Sequence, residues 1–507
     1  MPILAPATMH HIGTVDERYQ SYNVEMLEVT GGKFWRPYGP QLEAILKQPA
    51  PTAATAGGDT PTGMNPALYE YLPPLDLTQR RLRILTAALG PAYVRVSGTW
   101  ANSTYFPESD QAPKSAPQGF NGVLTRQQWK GLVDFANAVD AGIVTSFATS
   151  AGTRDTVGIW TPAQAKRLVD YTTSIGGRIA AAEYMNEPTL AAMGGAPAGY
   201  DAASYGRDFK LFRAFAKQAA PEMLILGPGA VGETTGDWGV GYGIAGVLKT
   251  GDLLAAAGPG VDAFSYHHYG ASSIRCAAIG PQTQTTAAAA LSEEWLARTD
   301  QTLARYRALR DKFEPGKPFW NTETADAACG GNPWAGTFLD TFRYLDQLGR
   351  LAKQEVRVIA HNTLVASDYG FLEQQTFAPK PNYWAALLWR RLMGSTVLES
   401  GVATQMGLHV YAQCLRGTPG GVAVLAINND RSAPRTLRVP VAGERYTLSS
   451  NTLQSKSVQL NGAELKFNTN DELPRLTGVQ VASGDIALPA STITFLALPE
   501  AGNGACQ

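Results

Sequence analysis

Eight short apolar runs alternate with helically periodic stretches through the middle of this chain, and that alternation leaves few folds open. The runs occupy residues 22–27, 92–98, 142–148, 181–186, 223–227, 263–269, 318–323 and 356–363. Helical patterns lie between them, clearest at 127–141, 161–175, 204–219, 292–310 and 337–353. Eight strands with intervening helices predict a (β/α)8 TIM barrel, an α/β fold. Their continuous apolar character suits a parallel sheet covered on both faces. Past about Met393 the texture changes to short alternating runs at 408–414, 421–428, 435–441, 445–449, 456–460 and 492–498. Gly420-Gly421 and Asn461-Gly462 supply turns between these runs, which predicts a C-terminal antiparallel β-sandwich. The expected organisation is a barrel over 22–393 and a sandwich over 394–507. Residues 1–21 are too few for a domain and are expected to add to the sandwich.

Composition sets the outer bounds. With 42 Lys+Arg against 43 Asp+Glu in 507 residues, the net charge of −1 gives no general attraction to nucleic acid or to an anionic membrane. No apolar run approaches 18 residues, so no membrane-spanning helix is expected. No basic-then-apolar leader is visible between Met1 and Glu17. The four cysteines are sparse and even in number, which fits two structural disulfides in an exported protein, secreted or periplasmic. CxxC and CxxH spacings are absent, so no cysteine-based zinc site is expected. His267 and His268 are adjacent and point to opposite faces of a strand, a poor arrangement for one metal. Gly227 to Gly232 fits GxGxxG, but it contains Pro228 and leads into a Gly-rich loop rather than a helix; it reads as a strand-to-loop turn. Neither metal nor cofactor is expected. The chain is expected to act as a monomer, and the strand ends described next lead to the expectation of a carbohydrate as its partner.

The chemistry gathers at strand ends. Glu25 closes the first run, Ser97 and Thr99 the second, and Asn186 and Glu187 the fourth. His267, His268 and Tyr269 close the sixth, Asn321 and Glu323 the seventh, and His361 and Asn362 the eighth. In a barrel these ends share one face, where such folds place their sites. Long loops at 48–66 and 107–122 are expected to wall that face. Among tryptophans near loops, Trp35, Trp100, Trp160, Trp238 and Trp334 are candidates for stacking on sugar faces, against the plainer alternative of core packing. Glu187, in Tyr184-Met185-Asn186-Glu187-Pro188, and Glu323, in Trp320-Asn321-Thr322-Glu323, sit on strands that face each other across the mouth. Two carboxylates about 5–5.5 Å apart there would perform retaining glycoside hydrolysis. Glu323 is expected to be the nucleophile, oriented by Tyr269. Glu187 is expected to be the acid/base, its pKa held up by its neighbour's charge, with Asn186 on the sugar 2-hydroxyl.

These residues resemble the heparanases and related β-glucuronidases of glycoside hydrolase family 79, in clan A. The Asn186-Glu187-Pro188 strand, Ser265 to Tyr269, the Trp320 to Glu323 strand and Gly330-Gly331 carry the likeness. So do Leu453 to Gly462, Leu473-Pro474 and Leu488 to Ala490 in the second domain. The resemblance implies a retaining β-D-glucuronidase that cleaves internal glucuronic acid linkages of heparan-sulfate-type chains. The alternatives are an exo-enzyme removing terminal glucuronic acid from glycans or aryl glucuronides, and a non-catalytic glycan-binding protein. By the same resemblance Gly330, Gly331 and Tyr369 read the glucuronate carboxylate, Thr99, Glu25 and His267 contribute to the sugar site, and Cys414 pairs with Cys506. The chain departs from animal heparanase in two places. Residues 105–124 are too short to hold that enzyme's excised segment, so a single uncleaved chain is expected. The loop 229–239 carries Glu233 and Asp237 where that enzyme has sulfate-binding arginines. Cys276 and Cys329 have no counterpart there; both follow site strands, and a bond between them would pin the loops.

Overall fold

The computed structural model describes residues 1–48, 60–468 and 470–507. Eight parallel strands close into a barrel: β1 (Gln20–Glu25), β2 (Ala92–Ser97), β3 (Ala141–Ser146), β4 (Ile179–Glu183), β5 (Leu224–Ala230), β6 (Ala263–Ser272), β7 (Phe319–Ala328) and β8 (Val356–His361). A barrel helix packs after each strand: α1 (Arg80–Ala87), α2 (Arg126–Ala138), α3 (Ala163–Ser174), α4 (Ala202–Ala219), α5 (Thr250–Ala257), α6 (Arg298–Phe313), α7 (Phe338–Lys353) and α8 (Pro381–Leu392), with shorter helices Met26–Thr30 and Pro40–Leu46 in the connection from β1 to α1. The fold is the (β/α)8 barrel expected from the alternation.

Local chemistry explains the elements. Helix α2 begins where Thr125 accepts from the Gln128 amide while the Gln128 side chain returns to the Thr125 amide, a reciprocal cap. It then buries Trp129, Leu132, Val133 and Ala136 at helical spacing. The stretch 292–310, read from sequence as one helix, is broken. A short turn, Glu293–Leu296, capped by Ser292, precedes α6. Inside the barrel, Val144, Ala181, Leu226, Ala263, Trp320 and Val358 form a dry layer that closes the floor.

The remaining chain forms the second domain. An antiparallel sheet runs through His11–Thr14, Met393–Leu398, His409–Leu415, Val422–Asn428, Thr492–Leu498 and Gly443–Ser449, with short strands beyond. Period-2 alternation divides its side chains between two cores. Val410, Val424 and Leu496 face a two-stranded layer built from Arg435–Val439 and Gly484–Leu488. Tyr411, Leu425 and Phe495 instead join the main core. Helix α7 passes closely here: a Cβ on Gly349 would lie 2.3 Å from the Tyr411 ring. Two disulfides are present, Cys276–Cys329 and Cys414–Cys506. No described helix is long and apolar enough to cross a membrane.

Candidate active site

The C-terminal ends of the strands open into a cavity of about 920 Å³, counted out to solvent. Its lining includes Glu25, Thr99, Asn186, Glu187, Tyr269, Glu323, Asn362 and Tyr369. Of the expected loop walls, residues 49–59 lie outside the described residues, while Pro61 and Met64 line the cavity. Trp35 and Trp100 also line it, whereas Trp160, Trp238 and Trp334 are buried.

Not every polar strand end reaches this cavity. His268 turns outward to Thr302 (2.9 Å), and His361 stacks on Phe371 and bonds the Tyr369 carbonyl. Asn321, in its hydrogen-bonding orientation, donates to the carbonyls of Tyr266 and Glu323. The expectation that all the polar ends converge therefore fails for these three, because alternate side chains of a strand face opposite sides. A register shift in β7 between Asn321 and Thr324 locally breaks that alternation. Consecutive Thr322 and Glu323 consequently both reach the barrel axis, Thr322 bonding Glu183 (2.8 Å) and Glu323 bonding Arg95.

Arg95 is the hub of the site and was not singled out by motif. Its guanidinium, 2% exposed, donates to Glu323 Oε2 (2.8 Å), Glu183 Oε2 (2.8 Å) and Asn186 Oδ1 (2.8 Å). Burial opposes its charge, yet Glu183 and Glu323 hold it more firmly protonated than usual. Burial likewise opposes ionisation of Glu183, but Arg95 keeps that carboxyl below the usual range. Tyr269 donates its hydroxyl to Glu323 Oε1 (2.6 Å), so both oxygens of Glu323 are fixed. Asn186 lines the cavity with its Oδ1 occupied by Arg95.

Glu187 follows β4 with φ 47° and ψ 62°, a left-handed conformation that costs energy in a non-glycine residue and is typical of sites held by their surroundings. Its pKa is pushed up to about 7. Burial is the main cause, with the charge of Glu183 adding to it; Glu323, the neighbour expected to do this, is not among the causes. His267 Nε2 lies 3.2 Å from Arg95 Nη2, which can only donate, so Nε2 accepts and Nδ1–H donates to Glu187 Oε1 (2.9 Å). Burial lowers the His267 pKa to about 4 and keeps the ring neutral. Glu25 is buried too, its carboxyl raised well above the usual range by burial, then by Glu323 and Glu28. A Cβ on Gly98 would fall 1.7 Å from Glu25 Oε2, so only glycine fits there. Asn362 Nδ2 lies within 3.2 Å of Glu25 Oε1 and of the hydroxyls of Tyr269 and Tyr369.

Glu187, His267 and Glu323 have potential ligand atoms within 4.8 Å of one another. By distance they could hold a cation, but Arg95 already places a buried positive charge against Glu323 and His267. Gly330 and Gly331 form a turn after β7, both left-handed (φ 81° and 84°), beside the lining residues Cys329 and Tyr369. Glu233 points away from the cavity, accepting from the Thr250 amide at the start of α5 and pairing with Arg305. Arg95 and Glu183 were visible in the sequence only as single charges inside apolar runs.

Residues 72–349 match the family described as "Glycosyl hydrolase family 79, N-terminal domain", more than half of the chain. The chain belongs to glycosyl hydrolase family 79. It is a glycoside hydrolase. Heparanase of Mus musculus is 27% identical over 489 residues, covering 84% of this chain and 87% of that protein. Baicalin-beta-D-glucuronidase of Scutellaria baicalensis is 33% identical over a shorter stretch of 153 residues, 29% of each chain. Among solved structures, the GH51 arabinofuranosidase from Xanthomonas axonopodis pv. citri superposes with a TM-score of 0.61 at 18% identity, covering 96% of this chain and 98% of its own. That likeness is one of fold.

Proposed function

We propose that this family 79 enzyme is a retaining β-D-glucuronidase with Glu323 as nucleophile and Glu187 as acid/base. The observation that carries the reading is the approach of the two carboxyl groups, each of which brings one oxygen within 4.8 Å of an oxygen of the other. An inverting enzyme needs about 6.5–9.5 Å to seat a water between them. In the first step Glu323 attacks the anomeric carbon while Glu187 gives its proton to the leaving oxygen. In the second, Glu187 takes a proton from water as that water displaces Glu323. The bond from His267 Nδ1 fixes one oxygen of Glu187 and leaves the other to carry the proton. Tyr369 and the amides of Gly330 and Gly331 receive the sugar carboxylate by charge-assisted hydrogen bonds.

The leaving-group side favours an uncharged partner. Among the described residues, Met64, Trp35, Trp100, Met193, Ile244 and Ile279 line the cavity outside the two carboxylates, and no Lys or Arg does. A sulfated chain would find no cation there, whereas an aryl or other apolar aglycone would find area to bury. Glucuronides of that kind are our first reading. Endo-cleavage of a lightly sulfated glucuronate polymer is the second, supported by the similarity to mouse heparanase along most of both chains. The two disulfides support an exported, oxidising location.

The test is hydrolysis of 4-nitrophenyl β-D-glucuronide by wild type and Glu323→Gln, with proton NMR of the first sugar released. The β-anomer appearing first supports retention, and the α-anomer would overturn it. A parallel heparan sulfate digest separates the readings. Falling chain size with little free glucuronic acid means endo-action, and free glucuronic acid without shortening means exo-action.

A further inference from the structure

A site that receives a carboxylate needs positive character, yet among the described residues no Lys or Arg lines this cavity. We infer that Arg275, buried behind the cavity wall, is the positioning residue for sugar carboxylate recognition, acting through the Gly330–Gly331 turn. This inference rests on the glucuronidase reading.

The guanidinium of Arg275 is fully buried. It donates to the carbonyls of Cys329 (3.2 Å) and Gly331 (3.0 Å), pairs with Asp368, bonds the Arg36 carbonyl (2.7 Å) and stacks 4.0 Å from the Tyr38 ring. Ser273 Oγ adds a second bond to the Cys329 carbonyl (2.8 Å), and Tyr38 a second to the Gly331 carbonyl (2.8 Å). Ser367 Oγ takes the carbonyl between them, that of Gly330 (2.8 Å). Three successive carbonyls are thus spoken for.

The consequence follows from peptide planarity. In a trans peptide the C=O and the following N–H point to opposite edges. Drawing the Cys329 carbonyl to Arg275 and Ser273 turns the Gly330 N–H away from them. Binding the Gly330 carbonyl to Ser367 likewise frees the Gly331 N–H. Among the described residues, neither amide has an acceptor in hydrogen-bond range. Successive free N–H groups on a turn make an anion-binding concavity. Arg275, its charge balanced by Asp368, acts on it through these carbonyl bonds without occupying the cavity. The Cys276–Cys329 bond holds the loop that carries Arg275 against the loop that carries the turn.

Such an arrangement predicts a change in discrimination rather than in chemistry. Steady-state kinetics of Arg275→Gln and Ser273→Ala would be measured on 4-nitrophenyl β-D-glucuronide and on the matching β-D-glucoside. The glucoside would be used as a competitive ligand if its turnover is too slow. For Arg275→Gln we expect KM for the glucuronide to rise at least tenfold, kcat to stay within about threefold, and the glucoside constants to be unmoved. Ser273→Ala removes the second donor on the Cys329 carbonyl, the peptide that carries the Gly330 N–H, and should raise the same KM severalfold. An equal loss on both substrates, or an unchanged preference in both variants, overturns the inference. If wild type itself fails to prefer the glucuronide, the glucuronidase reading falls instead. Should Arg275→Gln not fold, Ser273→Ala decides alone.

Discussion

Glu187 carries two burdens at once, a left-handed backbone and a proton that must be held near neutrality. Burial raises its pKa to about 7, so the acid form needed for the first step is lost above that value. The rate constant kcat/KM should therefore fall about tenfold per pH unit on the alkaline side. A profile flat to pH 9 would remove Glu187 from that role. Arg95 poses the opposite risk. Replacing it by Met leaves Glu183 buried without its partner, which should cost about 3–5 kcal/mol in a urea titration. Adding Glu183→Gln should recover much of that loss; a double variant as unstable as the single would refute the account. These residues also mark the limit of what the sequence discloses. In the sequence Glu187 and Glu323 close apolar runs, where a carboxylate has an evident purpose. Arg95 and Glu183 interrupt apolar runs, and only their meeting in space explains why such charges are tolerated.

The strands were legible because parallel barrel strands are apolar on both faces, and six of the eight begin within one residue of the expected starts; the other two, β1 and β4, begin two residues earlier. Their far ends were not. β6 runs to Ser272 and β7 to Ala328, past the site, and the polar residues that suggest a stop are in fact the working surface. Helices α1 and α5, eight residues each, offer too few turns for periodicity to be decisive. The register shift in β7 has no sequence signature, since no Gly or Pro marks it. At this scale Gly349 is a sharp test. It lets α7 approach the sheet at Tyr411, and Gly349→Ala should destabilise by about 1–3 kcal/mol through overpacking, despite alanine's better helix propensity. A stabilised variant in a thermal melt would show that the contact relaxes freely.

Between the barrel and the second domain sits a buried charged latch. His409 bonds Asp346 of α7 (2.6 Å) and Glu293 (2.9 Å), and Tyr411 also donates to Asp346 (2.6 Å). Burial works against the charge on His409, but Asp346 and Glu293 raise its pKa to about 9 from 6.5. Its stabilising contribution is therefore full below about pH 6.5 and is lost as pH climbs through 9. Asp346, lowered to about 2 by His409 and Arg350 against its burial, contributes above its ordinary value of 3.8 and loses that only as pH falls through 2. The Tm of wild type should decline from pH 6.5 to 9, and His409→Gln should abolish that slope. A slope unchanged in the variant would place its origin elsewhere.

His11–Thr14 pairs with Met393–Leu398, and β1 pairs with β8. A ribosome delivers these partners in the least convenient order. At about 5–20 residues per second, residue 11 waits roughly 20–80 s for residue 398. Until β8 follows, β1 has no partner on that side and the sheet cannot close. Catalytic competence therefore waits for β8, and the second domain is completed only by strands made after it.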